Sequence, residues 1–205
     1  MELTRKQVLV NTLSSLLGPQ RFLASADTMA GYLVDWTGNF RGDALAVVRP
    51  SSTGEVCLIM DLCTDHQVSL TVQGGNTGLV GGSVPRLSGS EAHSKDQVTS
   101  STESDSVDIL LSTTYLCSFE DFDPISGHVT VGAGVTLVQL HEFARTHDLE
   151  FGVDLAARDS ATVGGMTATN AGGIHVVAHG MMRKQVVGVE AVLPSGEVIS
   201  TLRGL

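Results

Sequence analysis

The sequence predicts a mixed α/β protein folded as one domain, or as two small lobes sharing a core. Three observations predict it. The chain has 205 residues, of which 42% are hydrophobic, enough length and apolar surface for a buried core. A strand-helix-strand pattern runs from Ala44 to Val72. Two glycine-rich segments then interrupt the strand-like runs, at 73–85 and 154–173.

The first element is a short amphipathic helix. Thr4 and Gln7 form a T-x-x-Q capping box, Val8, Leu9, Leu13, Leu16 and Leu17 supply the apolar positions, and Gly18-Pro19 stops it. Residues 20–42 carry little periodicity and read as an arm or loop, with Trp36 as a packing anchor rather than a stacking platform. Ala44–Val48 is a strand-type run. Ser52-Thr53-Gly54-Glu55 is a second capping box, and Val56, Ile59, Met60 and Cys63 keep helical spacing up to His66. Val68–Val72 alternates as a strand does.

That strand runs straight into Gln73-Gly74-Gly75-Asn76-Thr77-Gly78-Leu79-Val80-Gly81-Gly82-Ser83-Val84-Pro85, with five glycines in nine residues. A flexible turn would not be expected to carry Leu79 and Val80 in its middle. A phosphate cradle fits better. Glycines let backbone N–H groups face a ligand closely, and Asn76, Thr77 and Ser83 add short donors. With no Lys in the loop, amides must meet the ligand's charge, with Arg86 as a possible helper. That suits a bridging diphosphate better than a transferred γ-phosphate, and no G-x-x-x-x-G-K-[ST] occurs in the chain.

Residues 88–106 are rich in Ser, Thr and acids and read as a disordered surface insertion. Val107–Leu111 and His128–Val131 read as strands, and Thr136–His147 as a helix. Gly132-Ala133-Gly134 imitates a dinucleotide fingerprint, but Leu137 stands where the third glycine belongs, so tight turn packing is the better account. His141-Glu142 imitates a zincin helix, but Arg145 replaces the second histidine.

In the second glycine-rich segment, Gly164-Gly165 and Gly172-Gly173 are separated by small residues. Ser160, Thr162, Thr167, Thr169 and Asn170 bring hydroxyls and an amide. Such a run either packs as a small-residue helix or lets a large cofactor approach the backbone. Two such segments in one chain favour the cofactor. His175 and His179 are four apart, but the glycines around them argue for a loop and against a metal pair. Val186–Leu193 and Glu197–Thr201 read as strands about a Pro194-Ser195-Gly196 turn.

Composition excludes other classes. Twelve basic residues scattered among twenty-two acids, for a net charge of -10, do not make a nucleic-acid surface. No apolar run approaches the roughly twenty residues of a membrane span, and the chain reads as soluble and cytoplasmic. Cys57, Cys63 and Cys117 show no C-x-x-C spacing and read as buried structural thiols.

Gln73–Pro85, Asp159–Gly173 and Val187–Val198 together closely resemble the FAD-binding (PCMH-type) domain of the vanillyl-alcohol oxidase superfamily. The nearest branch is the FAD-linked 2-hydroxyacid dehydrogenases: D-lactate and D-2-hydroxyglutarate dehydrogenases and the glycolate oxidase flavin subunit. The resemblance covers residues 44–201. It implies an α+β fold of two lobes, an N-terminal β-α-β lobe and a larger mixed β lobe with helices, with FAD extended between them. By that likeness residues 1–42 are a helix and arm and 43–205 the FAD-binding domain.

The resemblance implies that Gly74, Gly75, Asn76, Thr77, Gly78, Gly82 and Ser83 hold the diphosphate. Ser160, Ala161, Thr162, Gly164 and Gly165, with Thr169, Asn170, Ala171 and Gly172, would line the ribityl and flavin side. Relatives that tether flavin covalently through this first loop have His where this chain has Asn76, so non-covalent FAD is expected. Their reaction is hydride removal from a 2-hydroxy acid. Their base, substrate-binding residues and metal ligands lie in a further domain that would follow Leu205, so no catalytic residue and no metal ligand is assigned here. A small-molecule 2-hydroxy acid and an electron acceptor are the expected partners of the full-length protein. A truncated dehydrogenase is the expectation; a non-catalytic FAD module or an inactive truncated product is the alternative. An NAD-binding fold is weakened by the missing third glycine. Ala178-His179-Gly180 departs from relatives, which often carry an aromatic before that glycine.

Overall fold

The structure is a computed structural model that describes residues 4–87 and 108–202. Its first layer is a four-stranded sheet in the order β1-β2-β4-β3. These strands are β1 (Phe22–Leu23), β2 (Ala44–Val48), β3 (Leu70–Gln73) and β4 (Asp108–Ser112). β2, β4 and β3 run parallel, and β1 adds an antiparallel edge. The strand-helix-strand unit is present, but its strands are not neighbours. β4 lies between them, pairing Val48 with Leu111 on one side and Val72 with Leu111 on the other.

Helix α1 (Arg5–Leu17) begins at the anticipated box: the Thr4 hydroxyl accepts from the Gln7 amide and the Gln7 side chain accepts from the Thr4 amide. Helix α3 (Thr53–Asp65) is capped by Ser52. Its Glu55 does not complete a box with Ser52. The carboxylate reaches the Ser51 amide at 2.7 Å and Arg21 at 2.5 Å instead. Both helices cover one face of the sheet, where Leu9, Leu13, Leu17, Ile59 and Cys63 pack on Ala46, Val48, Ile109 and Leu111. Val47 and Leu110 point the other way, onto Met29, Tyr32 and Leu33. Burial on both faces is why these strands read as apolar runs rather than as alternation.

Residues 20–42 are therefore more than an arm. They contribute β1, the short helix α2 (Ala26–Met29) and the second cover of the sheet. Trp36 is not a packing anchor, being 75% exposed.

In the second part, β5 (Phe119–Asp123), which sequence periodicity did not show, pairs with β6 (His128–Val131). Helix α4 (Leu137–Thr146) lies against them, with the Phe119 and Phe143 rings stacked 4.7 Å apart. Helix α5 (Val163–Thr169) occupies the second glycine-rich segment and α6 (Val176–His179) the histidine pair, so that stretch is a short helix rather than the expected loop. Leu137, Val153, Ala161, Met166 and Met182 form this part's core. A hairpin of β7 (Glu190–Val192) and β8 (Val198–Ser200) returns to α3, where the Thr53 hydroxyl donates to Glu190 at 2.7 Å. The expected insertion at 88–106 lies outside the described residues. Among the described residues no helix is long and apolar enough to cross a membrane.

Candidate functional site

β3 ends at Gln73 and delivers the chain into the first glycine-rich loop, where a cleft of about 500 Å³ opens. Its walls come from four places. Gly31 and Tyr32 belong to the arm, and Gln73, Gly74, Gly75 and Asn76 to the loop. Thr114, Cys117, Gly134, Thr136 and Gln139 surround the entry to α4, and Asp159, Ser160 and Thr162 come from the second glycine-rich segment.

The two glycine-rich segments meet here. A Cβ on Gly75 would stand 1.7 Å from the Ser160 carbonyl oxygen, and one on Gly74 would stand 2.4 Å from the Thr162 hydroxyl. The glycines are needed for close approach between backbones. They do for the protein what the sequence reading expected them to do for a ligand.

The loop's amides remain available. Among the described residues, the backbone N–H groups of 75–83 donate to no protein acceptor. Side chains give the loop its shape. Gln73 Nε2 donates to the Tyr32 and Ser83 carbonyls at 2.9 and 2.8 Å. Asn76, in the left-handed region at φ 53°, donates to the Val34 carbonyl at 2.7 Å and accepts from the Ser83 hydroxyl at 2.8 Å. The polar groups of Asn76 and Ser83, expected to face a ligand, bind the chain itself.

The second segment contributes shape and hydroxyls, with most of its amides engaged within the chain. The Ser160 and Ala161 amides donate to Ala157, Val163 to Val135, and Gly164 to Ala133. The Gly165 amide goes to the Thr162 hydroxyl, which caps α5. Thr169 donates to the Gly165 carbonyl, and the Asn170 side chain accepts from the Arg183 amide. Gly172 abuts Val176 and Met181.

The structure thus brings Gly74, Gly75, Asn76, Ser160 and Thr162 to the cleft wall. Thr77, Gly78, Gly82, Ser83, Ala161, Gly164, Gly165, Thr169, Asn170, Ala171 and Gly172 lie outside that lining. Gly78 and Gly82 sit in open space along the loop.

The α4 entry adds a wall whose first helical amides are engaged. Leu137 and Val138 amides donate to Ala161 and Arg158, and Thr136 and Gln139 form a reciprocal capping box. Gly134 owes its identity to packing, since a Cβ there would lie 1.9 Å from the Thr113 carbonyl oxygen. Among the described residues no Lys or Arg lines the cleft, and Asp159 is its single carboxylate. Arg86 is not in the lining. Cys117 is exposed on this wall, which corrects its reading as a buried thiol.

Sequence reasoning missed Tyr32, which stands in no motif, and read Gln73 as the start of the glycine-rich loop without assigning it to the site. The signal for Thr136 and Gln139 was the same T-x-x-Q pattern read at Thr4.

The residues fit FAD. The cleft volume lies in the range of cofactor pockets, and a run of unpartnered amides suits a diphosphate. A second depression of about 260 Å³ gathers His141, Arg145, Glu150, Asp154, His175 and His179. Among the described residues no three His, Cys, Asp or Glu side chains form a metal-holding group.

Comparison with known proteins adds the following. The FAD binding domain family matches residues 94–202. The chain is 36% identical over 179 residues to the D-2-hydroxyglutarate–pyruvate transhydrogenase of Saccharomyces cerevisiae, covering 87% of this chain and 32% of that one. It is 34% identical over 187 residues to the mitochondrial D-2-hydroxyglutarate dehydrogenase of Danio rerio, covering 91% and 32%. The chain therefore spans about a third of the length of these relatives. Among solved structures, alkyldihydroxyacetonephosphate synthase superposes with a TM-score of 0.78 at 18% identity, covering 97% of this chain and 34% of that one. p-Cresol methylhydroxylase superposes at 0.69 and 20%, covering 96% and 35%. These two likenesses concern the fold. The expected cytoplasmic location is overturned, since relatives from Danio rerio, Bos taurus and Schizosaccharomyces pombe are named as mitochondrial. Lack of a membrane-spanning run does not distinguish between compartments.

Proposed function

Because the chain belongs to the FAD binding domain family, we propose that it is the flavin-holding part of an FAD-linked oxidoreductase acting on a 2-hydroxy acid. The substrate would be of the D-2-hydroxyglutarate, D-lactate or glycolate type. One observation carries the reading: Gly75 and Asn76 border the cleft where Gly75 meets Ser160, and among the described residues the amides of 75–83 that continue from there find no protein acceptor. Those amides would hold the diphosphate without help from a basic side chain. Gly74 and Gly75 keep the wall thin, while Ser160 and Thr162 present hydroxyls to the sugar-like portion of the cofactor. When bound, FAD supplies the two-electron acceptor for the hydride of the substrate's α-carbon. The walls of the cleft orient it, and the binding of the 2-hydroxy acid and of an electron acceptor falls to the rest of a full-length protein.

Asn76 spends its side chain on Val34 and Ser83, so no nucleophilic side chain stands at that position for a covalent tether. Absorption and fluorescence of the purified chain, with and without added FAD, test the reading. The expected result is flavin bands, quenched fluorescence, and full release of flavin on acid denaturation. Unquenched FAD, both for this chain and after restoring the downstream sequence, would overturn it.

A further inference from the structure

We propose that the hairpin of residues 31–42 is a working part of the FAD cradle, and that Gln73 and Asn76 are the positioning residues that lock it to the glycine-rich loop. The inference rests on the FAD reading above and extends it to a segment that sequence patterning set outside the binding domain.

The hairpin is closed by its own bonds. Val34 bridges Arg41, the Asp35 amide donates to the Phe40 carbonyl at 3.0 Å, and the Gly42 amide donates to Leu33 at 2.9 Å. The buried Asp35 carboxylate accepts from the Phe40 amide at 2.9 Å and from the Thr37 amide at 3.1 Å. Burial alone would push this carboxyl upward, but those bonds and the Thr37 hydroxyl hold it below its ordinary range. A hairpin tied in this way is a rigid body for the loop to lean on.

The loop does lean on it. Gln73, 2% exposed, donates from one side-chain amide both to Tyr32 in the hairpin and to Ser83 at the far end of the loop. Asn76 repeats the arrangement between Val34 and Ser83. Two steric contacts complete the lock. A Cβ on Gly81 would lie 2.5 Å from the Phe40 ring, and one on Gly42 would lie 1.9 Å from the Pro85 carbonyl oxygen.

Because the amides of 75–83 donate to no acceptor among the described residues, these side chains and contacts are what order them before a ligand arrives. A cradle ordered in advance loses less conformational freedom on binding, and binds more tightly for it. Tyr32 and Gly31 also form part of the cleft wall, so releasing the hairpin both opens the site and loosens its donors.

The test uses the whole chain, with Gln73→Met and Asn76→Gly. Met keeps the length of Gln without its donor, and Gly tolerates the left-handed backbone of Asn76. FAD affinity and release rate are read by fluorescence; on the ligand-free chain, backbone hydrogen exchange is read in 31–42, and proteolytic nicking at the exposed Leu79 and Val80 reads the loop, whose amides have no bonds to lose. The expected result for Gln73→Met, and for Asn76→Gly, is affinity weakened about tenfold or more, the scale of losing one buried hydrogen-bond donor. Exchange in 31–42 and nicking in the loop should accelerate together, with exchange in Ala44–Val48 unchanged.

Leu13→Ala, in the core beneath α1, is the control. It should lower the melting temperature while leaving FAD affinity, exchange in 31–42 and nicking of the loop as they were. Should Gln73→Met not fold, Phe40→Ala removes the ring over Gly81 and should weaken FAD several-fold with the same paired loosening. Wild-type affinity in a folded Gln73→Met, or a loop that is nicked faster while the hairpin keeps its exchange protection, overturns the proposal. Failure of the wild-type chain to bind FAD overturns the flavin reading instead, and exchange in 31–42 with nicking of the loop on the ligand-free chain then decides the lock alone.

Discussion

Gly75 packs directly on the carbonyl of Ser160, close enough that a Cβ would stand 1.7 Å from the oxygen. Neither backbone can yield without moving its whole segment. Gly75→Ala is therefore expected to cost about 1–3 kcal/mol of stability, as overpacking does, and to separate the two walls of the cleft. Gly78, with open space around its missing Cβ, is the contrast. Gly78→Ala should leave the ligand-free chain within about 0.5 kcal/mol of wild type and still weaken FAD, because the added methyl crowds the amides. Denaturant melts with and without FAD check both.

Glu55 ties the start of α3 to the arm through Arg21, at 2.5 Å, with the two side chains about one-fifth exposed. Burial tends to raise its pKa, but the bonds from Arg21, the Ser51 amide and the Ser51 hydroxyl outweigh that and hold it below its ordinary 4.5. A carboxylate depressed in the folded state stabilises above its unfolded value, and the contribution disappears as pH falls through the folded one. Glu55→Gln should cost about 1–2 kcal/mol at neutral pH, the range for a charge-assisted bond at a partly exposed site. Its melting temperature should approach that of wild type as pH drops below 4.5. A constant gap across that range would remove the ion pair from the account.

Thr136 begins α4 at the cleft and shares a reciprocal box with Gln139. Loss of an N-cap hydroxyl costs about 1 kcal/mol, which lowers the melting temperature of a domain this size by roughly 2–4 °C. Thr136→Ala should show that loss and Thr136→Ser should restore it, as read by thermal unfolding.

Much of this was legible in the residues. Thr4 with Gln7 marked α1, and the apolar run Ala44–Val48 was read to its true ends because burial on both faces leaves no polar position to confuse it. Gly74, Gly75, Ser160 and Thr162 lie in the two segments whose glycines and hydroxyls suggested one large cofactor, and the fold brings those four to one cleft. What stayed hidden was long-range. The insertion of β4 between β2 and β3 has no local signature. β5 alternates charged and aromatic residues whose rings are covered from a distance in sequence, by Phe143 of α4 and by His147 at its end. The role of 31–42 depends on bonds from Gln73 and Asn76 to its carbonyls, and a carbonyl acceptor is common to every residue type.

The three cysteines report on the site without a substitution. Cys63 is buried on the sheet-facing side of α3, and burial pushes its thiol up to about 11, so at neutral pH it carries almost no reactive thiolate. Cys57 is half-buried, whereas Cys117 is exposed and lines the cleft. A thiol reagent should therefore label Cys117 first, Cys57 more slowly and Cys63 only on unfolding. Since Cys117 shares its wall with Gly134, Gly75 and Ser160, bound FAD should slow its labelling several-fold while leaving Cys57 unchanged. Mass spectrometry of the labelled peptides separates the three. Equal protection of Cys57 and Cys117 would indicate general tightening of the fold, and an unprotected Cys117 with FAD bound would move the cofactor away from this wall.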